Sequence, residues 1–380
     1  MNIIVAPDSF KDCLSAKAVA ACISLGIRHV YPDAVIYEVP LSDGGEGLID
    51  ALMENVDGQL ISVPVRNPLG HPMTAEFGVF ENDNTAIIEL ARASGLELLS
   101  VHERDPLSTS TYGTGQLIRA ALDHGCKKMI IGLGGSATND GGSGMLKALG
   151  ARFLNPAGME IPEGGDGLGD LDQIDLTHFD RRLAHCEVIV ASDVTNPLIG
   201  PHGASFIYGG QKGGDGKALE QLDNNLRNFG EIVKKQYHID ILNKQGAGAA
   251  GGTGAALLAF MNGKIVNGIE LVLNMVRMEQ YLGKADLVIT GEGKIDKQTL
   301  NGKTIMGISG MAKKQGVPVI VLTGKIGENI DTIYDRGVGA VFSIVDRPME
   351  LEEALIEAPR LLERASMNIM GTIKAFNNKL

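Results

Sequence analysis

The stretch KMIIGLGGSATNDGG, residues 128–142, decides the fold class, because a short apolar run leads directly into a glycine-rich loop. The run Lys128–Leu133 predicts a buried strand, and a helix is expected to follow the loop through Leu149. The same order of strand, glycine-bearing loop and helix recurs along the chain. Strands that alternate with helices predict an α/β protein with largely parallel sheets.

The other predicted strands are also continuous runs of aliphatic residues, as expected for sheets covered on both faces. They are Asn2–Ala6, Val35–Pro40, Glu187–Ala191, Asp286–Thr290, Val317–Leu322 and Val338–Ile344. Ser15 is placed to cap a helix that runs to about Tyr31. Parallel sheets bind ligands at the carboxyl ends of their strands, and nearly every glycine cluster in this sequence lies at such an end.

Composition excludes several classes of protein. Glycine accounts for 50 of 380 residues, the net charge is −12, and there is no tryptophan. Neither phosphate-backbone binding through bulk charge nor base stacking on aromatic platforms is therefore expected, so we expect no nucleic-acid partner. No apolar stretch approaches the length of a membrane span, and the N-terminus lacks the features of a signal peptide. Four cysteines without a C-x-x-C pair favour reduced thiols and a cytoplasmic location, with no membrane partner.

The loop Gly134–Gly142 is a candidate phosphate-binding site. Its glycines let the backbone approach an anion, the next helix offers free N–H groups, and Ser136 and Thr138 add hydroxyl donors. A plain strand-to-helix turn is the alternative. Gly132–Ala137 also comes close to the dinucleotide fingerprint G-x-G-x-x-G, without a clear acidic partner further on. Lys297–Thr304 (KQTLNGKT) is the nearest match to a Walker A loop, but it lacks the first glycine.

Carboxylates at or just past strand ends are the candidates for holding a metal or positioning an attacking hydroxyl, as phosphoryl transfer requires. They are Asp8, Asp43, Glu46, Asp193, Glu292 and Asp296. Asp193 is the strongest candidate, because it follows a clearly buried strand; a helix cap or an Asx-turn is the alternative role for each carboxylate. Lysines near these positions could hold a carboxylate or a phosphate. They are Lys11, Lys212, Lys294 and Lys303.

Six ordered blocks of the sequence together resemble one family. They are Ala6–Lys11 (APDSFK), Ser42–Gly47 (SDGGEG), Gly132–Gly142 (GLGGSATNDGG), Ala191–Leu198 (ASDVTNPL), Gly210–Gly213 (GQKG) and Thr290–Thr299 (TGEGKIDKQT). These blocks look like the signature segments of bacterial glycerate kinases of the GarK/GlxK type, the glycerate kinase type-1 family. The resemblance covers essentially the whole chain in the family's order.

The resemblance implies ATP-dependent phosphorylation of D-glycerate, most often to 2-phosphoglycerate, with Mg²⁺. It also implies a flavodoxin-like parallel-sheet domain with a second α/β domain inserted into it, and an active site in the cleft between the two. We expect the first domain at residues 1–64 and 284–380 and the inserted domain at residues 65–283. The proline-rich segment Val63–Met73 would be one crossing point, and Leu282–Ala285 the other. We expect a monomer or a homodimer.

From these residues we further expect the following roles in the mechanism. Nucleotide phosphates would lie on the glycine loop and the neighbouring helix N-terminus. The nucleotide contacts would be Gly134, Gly135, Ser136, Thr138, Asn139 and Lys212. The D-glycerate contacts would be Asp8, Ser9, Lys11, Asp43 and Lys294. The catalytic residues would be Asp193, Lys11 and Asp296, and the ligands of Mg²⁺ would be Asp193 and Glu292.

Two other functions stay open at this point. An NAD(P)-dependent oxidoreductase acting on a small hydroxy acid is suggested by the pattern at Gly132–Ala137 alone. A non-catalytic anion-binding protein on the same fold would not need the acidic and basic residues in the six blocks, and these are present.

Overall fold

The computed structural model describes residues 1–11, 13–80, 82–296, 299 and 303–377, so most of the Walker-like segment, residues 297, 298 and 300–302, lies outside the described residues. In chain order the strands are β1 (Asn2–Val5), β2 (Val35–Glu38), β3 (Gly58–Arg66), β4 (Pro72–Phe80), β5 (Thr85–Glu89), β6 (Lys128–Gly132), β7 (Arg152–Leu154), β8 (Gln173–Asp175), β9 (Glu187–Ala191), β10 (Lys264–Val266), β11 (Leu287–Ile295), β12 (Val319–Ile326) and β13 (Val338–Ser343). The helices are α1 (Ala16–Val30), α2 (Leu48–Met53), α3 (Ala91–Ser94), α4 (Tyr112–Asp123), α5 (Ser143–Ala148), α6 (Ala204–Tyr208), α7 (Gly216–Tyr237), α8 (Thr253–Phe260), α9 (Gly268–Met275), α10 (Met278–Leu282), α11 (Thr304–Lys314), α12 (Thr332–Asp335) and α13 (Leu351–Asn377).

The chain divides into two compact units. Unit 1 comprises Met1–Asp43, Asp50–Val56 and Asn267–Leu380, and unit 2 comprises Gly44–Ile49 and Asp57–Val266. These limits differ from the boundaries expected at residues 64 and 284.

The segment Val63–Met73 is not a crossing point. It lies inside the β3–β4 hairpin, whose strands pair from Gly58 opposite Phe80 to Arg66 opposite Pro72. Two of its three prolines, Pro64 and Pro72, therefore lie within or at the end of a paired strand, and Pro68 lies in the turn between the strands. A hairpin keeps both strands in the same unit, because its backbone hydrogen bonds join them along their length.

Unit 1 contains a five-stranded parallel sheet with the order β13-β12-β11-β1-β2. Within the unit this is the flavodoxin-like order, which confirms the expected fold class. The strand order reverses between β1 and β11, and a crevice at such a point is the usual ligand site of an open parallel sheet.

Helices α1 and α13 contribute to the aliphatic core on one face of this sheet. The Oγ of Ser15 accepts the N–H of Ala18 at 3.3 Å, so α1 begins at the predicted cap. The core of this face includes Ile3, Val5, Ile23, Ile27 and Leu361. Burial of these side chains holds the sheet against the two helices, because removing apolar surface from water is the main stabilising term.

Unit 2 contains a six-stranded sheet with the order β10-β9-β6-β5-β4-β3. The pairs β3–β4 and β4–β5 are antiparallel, and the pairs β5–β6, β6–β9 and β9–β10 are parallel. A small antiparallel pair, β7 with β8, lies apart from it. The predicted strand that opens the glycine loop is β6. Among the described residues, no helix combines the length and the apolar character needed to cross a membrane.

Candidate active site

A pocket of about 430 Å³ opens in unit 1 and includes residues that follow β1 and residues of β11 and β12. The switch point between β1 and β11 lies here, so the pocket occupies the expected place for a ligand. Eight residues proposed from the sequence line it together: Asp8, Ser9, Lys11, Asp43, Glu292, Lys294, Asp296 and Lys303.

Backbone pairing beyond the end of β1 positions Asp8 beside Glu292. The N–H of Asp8 donates to the carbonyl oxygen of Gly291 at 2.8 Å, which extends the β1–β11 pairing. The N–H of Ser9 donates to Asp8 Oδ1 at 2.6 Å, and the hydroxyl of Thr304 donates to Oδ2. Both oxygens of the Asp8 carboxylate are therefore held in place.

Burial and neighbouring charge raise the pKa of two carboxyl groups in this pocket. Burial, together with the charge of Asp43, raises the pKa of Asp8 from 3.8 to about 6. Burial also raises the pKa of Glu292 from 4.5 to about 7; the charges of Asp8 and Asp43 add to it, while Thr299 and Lys303 oppose it. Carboxyl groups that titrate near neutral pH can exchange a proton with a bound hydroxyl.

The lysines of the pocket interact electrostatically with its carboxylates. Lys294 Nζ lies 2.7 Å from Asp296 Oδ2, so two of the predicted site residues form an ion pair with each other. Lys11 lowers the pKa of Asp8, although burial and Asp43 outweigh it. The pocket therefore contains both signs of charge.

Two threonines of this site escaped the sequence-based assignment. Thr304 contacts Asp8, and the hydroxyl of Thr299 donates to Glu292 Oε1. Both belong to the KQTLNGKT segment, the incomplete Walker A loop, and Thr299 is also the last residue of the sixth family block. The sequence pattern that could have identified them is a pair of threonines shortly after the acidic residue Glu292.

In unit 2, the glycine loop and Asp193 follow the ends of neighbouring strands. Gly132 at the end of β6 lies opposite Ala191 of β9 and, on its other side, opposite Glu89 of β5. Asp193 is half-buried. Glu89 is a buried carboxylate absent from the sequence-based candidates; its signal is an acidic residue that ends the apolar run of β5. The carboxyl edge of these three strands therefore carries two acidic side chains beside the glycine loop.

The first turn of α5 does not offer free N–H groups to a phosphate, which corrects the expectation for this helix N-terminus. The Asp140 carboxylate accepts the N–H groups of Gly142 at 3.0 Å and Gly144 at 3.1 Å. The N–H of Met145 donates to Thr111 Oγ1 at 2.9 Å, and that hydroxyl donates to Asp140. A buried side-chain carboxylate thus takes the place that the sequence assigns to a ligand anion.

Lys212 holds the first half of the glycine loop from inside the protein. The residue is 1% exposed, and its Nζ donates to Ser136 Oγ at 2.8 Å and to the carbonyl oxygen of Thr138 at 2.7 Å. Burial lowers the pKa of Lys212 from 10.5 to about 7, against the opposing charge of Asp140. Gly135 is exposed and Gly134 is half-buried, so these two form the accessible part of the loop.

Thr138 and Asn139 carry polar atoms that suit a ligand. Both residues are fully buried, and within the described ranges Thr138 Oγ1 and Asn139 Oδ1 have no hydrogen-bond partner. The other end of the Asn139 amide is used, since Nδ2 donates to Ser205 Oγ at 3.0 Å. Buried polar atoms are nearly always satisfied by protein, water or ligand. These two oxygens are therefore available to such a partner.

A further segment, residues 246–252, packs across the loop without any indication from the sequence. The carbonyl oxygen of Gly251 accepts the N–H of Gly141 at 3.0 Å. A Cβ atom on Gly251 would lie 2.0 Å from the carbonyl oxygen of Thr138, so a larger residue does not fit. Ala250 has a positive φ of 51°, and such strained residues cluster at functional sites.

Close packing inside unit 2 accounts for the dinucleotide-like spacing of glycines. A Cβ atom on Gly134 would lie 2.4 Å from the Cα atom of Gly45. Glycine is required here by the neighbouring backbone, whatever the loop binds. The pattern at Gly132–Ala137 therefore does not require a dinucleotide.

No group of three or more His, Cys, Asp or Glu side chains in the described ranges is arranged to hold a metal ion. Mg²⁺ typically uses one or two carboxylates and completes its shell with phosphate oxygens and water. Asp193 and Glu292 each carry a carboxylate, the type of oxygen donor that Mg²⁺ uses. The donor chemistry of each residue fits Mg²⁺ bound together with phosphates.

The Lys212→Met variant is expected to remove a pH-dependent part of the stability. In the folded protein Lys212 loses its proton near pH 7, while the unfolded chain keeps it to about pH 10.5, so stability rises with pH between these values. We expect this group to add about 2 kcal/mol to the free energy of unfolding between pH 7 and pH 9. The variant should lack that rise, as measured by urea unfolding at both pH values.

The exposed Lys217 supplies the matched control for this measurement. Lys217→Met removes the same charge from a solvated position and should keep the wild-type pH dependence. An identical pH dependence in Lys212→Met and wild type would show that the amine keeps an ordinary pKa despite its burial.

Comparison with known proteins matches these features to one family. A model of the glycerate kinase family matches residues 3–374. Glycerate 2-kinase of Escherichia coli (strain K12) is 45% identical over 373 residues, covering 98% of each chain. Glycerate kinase of Bacillus subtilis (strain 168) is 46% identical over 374 residues, also covering 98% of each.

A solved structure has the same fold along the whole chain. The crystal structure of a protein assigned as glycerate kinase 2 from Salmonella typhimurium LT2 superimposes with a TM-score of 0.85 at 45% sequence identity. The match covers 100% of this chain and 99% of the other.

Proposed function

This chain belongs to the glycerate kinase family, and we propose that it transfers the γ-phosphoryl group of ATP to the 2-hydroxyl of D-glycerate. The products are ADP and 2-phosphoglycerate, so the enzyme is a phosphotransferase with an alcohol acceptor. The observation that carries the proposal is the unit 1 pocket, where residues of three family blocks meet at the switch point of a parallel sheet. The E. coli relative named a 2-kinase supports the choice of hydroxyl.

D-Glycerate would bind in the unit 1 pocket through its carboxylate and its hydroxyls. Ser9, Lys11 and Lys294 would hold the carboxylate, since each offers a hydrogen-bond donor and two carry positive charge. Asp8 and Asp43 would accept hydrogen bonds from the hydroxyls. Asp296 would act through Lys294, whose ammonium group it holds at 2.7 Å.

The proton of the attacking hydroxyl needs an acceptor during transfer. Asp8 suits this role, because its carboxylate is fixed by Ser9 and Thr304 and its pKa of about 6 leaves it ionised at neutral pH and ready to take up a proton. Lys11 would act in catalysis by stabilising negative charge near the reacting oxygen.

The phosphates of ATP would lie on the loop residues Gly134, Gly135 and Ser136, with Thr138 and Asn139 behind them. Lys212 would hold this loop in the binding conformation through Ser136 and Thr138. The unpartnered Thr138 Oγ1 supports a ligand at this place.

Asp193 and Glu292 would hold Mg²⁺. When bound, Mg²⁺ neutralises charge on the transferred phosphoryl group.

A coupled assay tests the reaction and its position. The purified protein receives ATP, Mg²⁺ and D-glycerate, with enolase as coupling enzyme, and the assay is repeated with phosphoglycerate mutase added. We expect a signal with enolase alone, because enolase acts on 2-phosphoglycerate. A signal only with the mutase would assign the 3-hydroxyl, and no ADP release in either assay would reject D-glycerate as the substrate.

A further inference from the structure

The unit 1 pocket has a second side that the binding of D-glycerate leaves unused. Five residues of α13 line it, spaced three or four positions apart so that they share one helix face. They are Leu351, Ala354, Leu355, Ala358 and Leu361. Ile344 and Val345, which follow β13, also line this side, and Cys13 completes it. We call these eight residues the α13 wall.

The exposure of the side chains in the α13 wall decreases along helix α13. Leu351 is 73% exposed, Ala354 and Leu355 are half-buried, and Ala358 and Leu361 are 2% and 1% exposed. Leu361 belongs to the apolar core of unit 1, so this end of the wall is fixed. Apolar surface that lines a pocket and remains accessible is characteristic of a binding site.

The pocket is larger than the proposed substrate needs. D-Glycerate is a three-carbon acid with no apolar group, and pockets of about 300–1,000 Å³ accommodate drug-sized ligands. The volume here is about 430 Å³. The charged side of the pocket satisfies the carboxylate and the hydroxyls, which leaves the volume along the α13 wall for another group.

The chemistry of the wall favours an aliphatic group over a nucleotide base. Seven of its eight side chains are aliphatic, and the thiol of Cys13 donates to the carbonyl oxygen of Leu355 at 3.2 Å. A purine base needs hydrogen-bond partners at its edge, since polar atoms buried without partners are costly. An alkyl chain needs none.

We propose that the pocket binds 2,3-dihydroxy acids that carry an alkyl chain on C3, with the chain lying along the α13 wall. The inference rests on the proposed function, because it treats D-glycerate as the smallest member of the class. The carboxylate and the two hydroxyls keep the contacts already assigned to them. The ligand class is therefore a short-chain aliphatic dihydroxy acid, phosphorylated at the same hydroxyl.

A homologous series tests this inference by binding. D-Glycerate is compared with 2,3-dihydroxybutanoate, 2,3-dihydroxypentanoate and 2,3-dihydroxyhexanoate of the same C2 configuration, by isothermal titration calorimetry on the full chain. Burying each added methylene on the wall should lower the Kd about two- to fourfold. The heat-capacity change should become more negative along the series, which is the marker of apolar burial.

Two variants on α13 locate the effect. Ala354→Phe places a ring in the space along the wall and should abolish the decrease in Kd with chain length. Ile356→Phe adds a ring two residues away at a site that is 79% exposed and outside the pocket, so it should keep the decrease. In each protein we compare the ratio of the Kd for 2,3-dihydroxyhexanoate to the Kd for D-glycerate. A substitution that weakens the binding of both ligands equally leaves this ratio unchanged.

The outcomes separate this inference from the proposed function. A Kd that does not fall along the series in the wild type, or a fall that persists in Ala354→Phe, overturns the α13 wall as a binding surface. Turnover of D-glycerate in the coupled assay decides the proposed function independently. The calorimetric series needs no turnover, so it decides the wall even if D-glycerate is not phosphorylated.

Discussion

Asp193→Asn is expected to lower kcat on the order of 10²–10³-fold while the protein remains folded. Asparagine keeps the shape of the half-buried side chain but loses the charge that would hold Mg²⁺ beside the phosphates. The measurement is the coupled assay at saturating ATP and D-glycerate, with circular dichroism and thermal unfolding recorded on the same preparation.

A metal role for Asp193 makes a second, separable prediction. The apparent Mg²⁺ concentration for half-maximal activity should rise in the variant, since a neutral amide oxygen is a weaker ligand than a carboxylate. The control is Asp172→Asn, which removes a charge from an exposed position of unit 2. A kcat within a few-fold of wild type in Asp193→Asn would remove this residue from the mechanism.

Glu292→Gln is expected to inactivate the enzyme and stabilise it at the same time. Activity should fall on the order of 10²-fold, because the amide cannot hold Mg²⁺ as the carboxylate would. Stability should rise, because the carboxyl group is buried in the folded state with a pKa of about 7, against 4.5 for the free group. Glutamine removes the cost of burying the charge and can still accept the hydrogen bond from Thr299.

The sign of the pH effect follows from the raised pKa. The folded state keeps the proton up to about pH 7, so the favourable contribution of this group is present at acid pH and is lost as the pH rises through 7. The gain in unfolding free energy for Glu292→Gln should be about 2–3 kcal/mol at pH 8 and less than about 1 kcal/mol at pH 5.

Urea unfolding at the two pH values measures this difference, and Glu38→Gln serves as the control. Glu38 ends β2 of the same sheet and is exposed, so its replacement should leave stability nearly unchanged at both pH values. An equal stability of Glu292→Gln and wild type at pH 8 would mean that the carboxylate is better solvated than its burial implies.

The fold could be predicted in large part from the sequence, because the signals for it are local. Continuous aliphatic runs marked every strand of the unit 1 sheet together with β6 and β9, but not the parallel strands β5 and β10, and Ser15 marked the start of α1. The unit limits could not be read in this way. The proline-rich segment 63–73 looks like a linker in sequence. In the structure its two ends belong to the paired strands β3 and β4, and this pairing exists only once the two strands meet in the folded chain.

The sequence predicted which residues belong to the candidate site, but it predicted much less of how their side chains contact one another. The acidic and basic candidates divide between the two units. Those that lie in or follow neighbouring parallel strands of unit 1 share its pocket, whereas Asp193 and Lys212 belong to unit 2. Asp140 behaves differently from what the glycine loop suggests, since its carboxylate takes N–H groups that a phosphate was expected to use. Whether the Asp140 carboxylate or a phosphate accepts these N–H groups depends on where the Asp140 side chain lies, and no sequence pattern indicates that position.

The sequence by itself determined the fold class, the family and the residue types that the chemistry requires, because periodicity, strand-end position and ordered motifs are properties of the chain alone. Only the tertiary structure decided which of these groups share an environment. The pKa values of Asp8, Glu292 and Lys212 move because folding buries them and brings their neighbours close. Folding brings together residues that are distant in sequence. The α13 wall forms in the same way, because Cys13 and the residues of α13 line one pocket only in the folded chain.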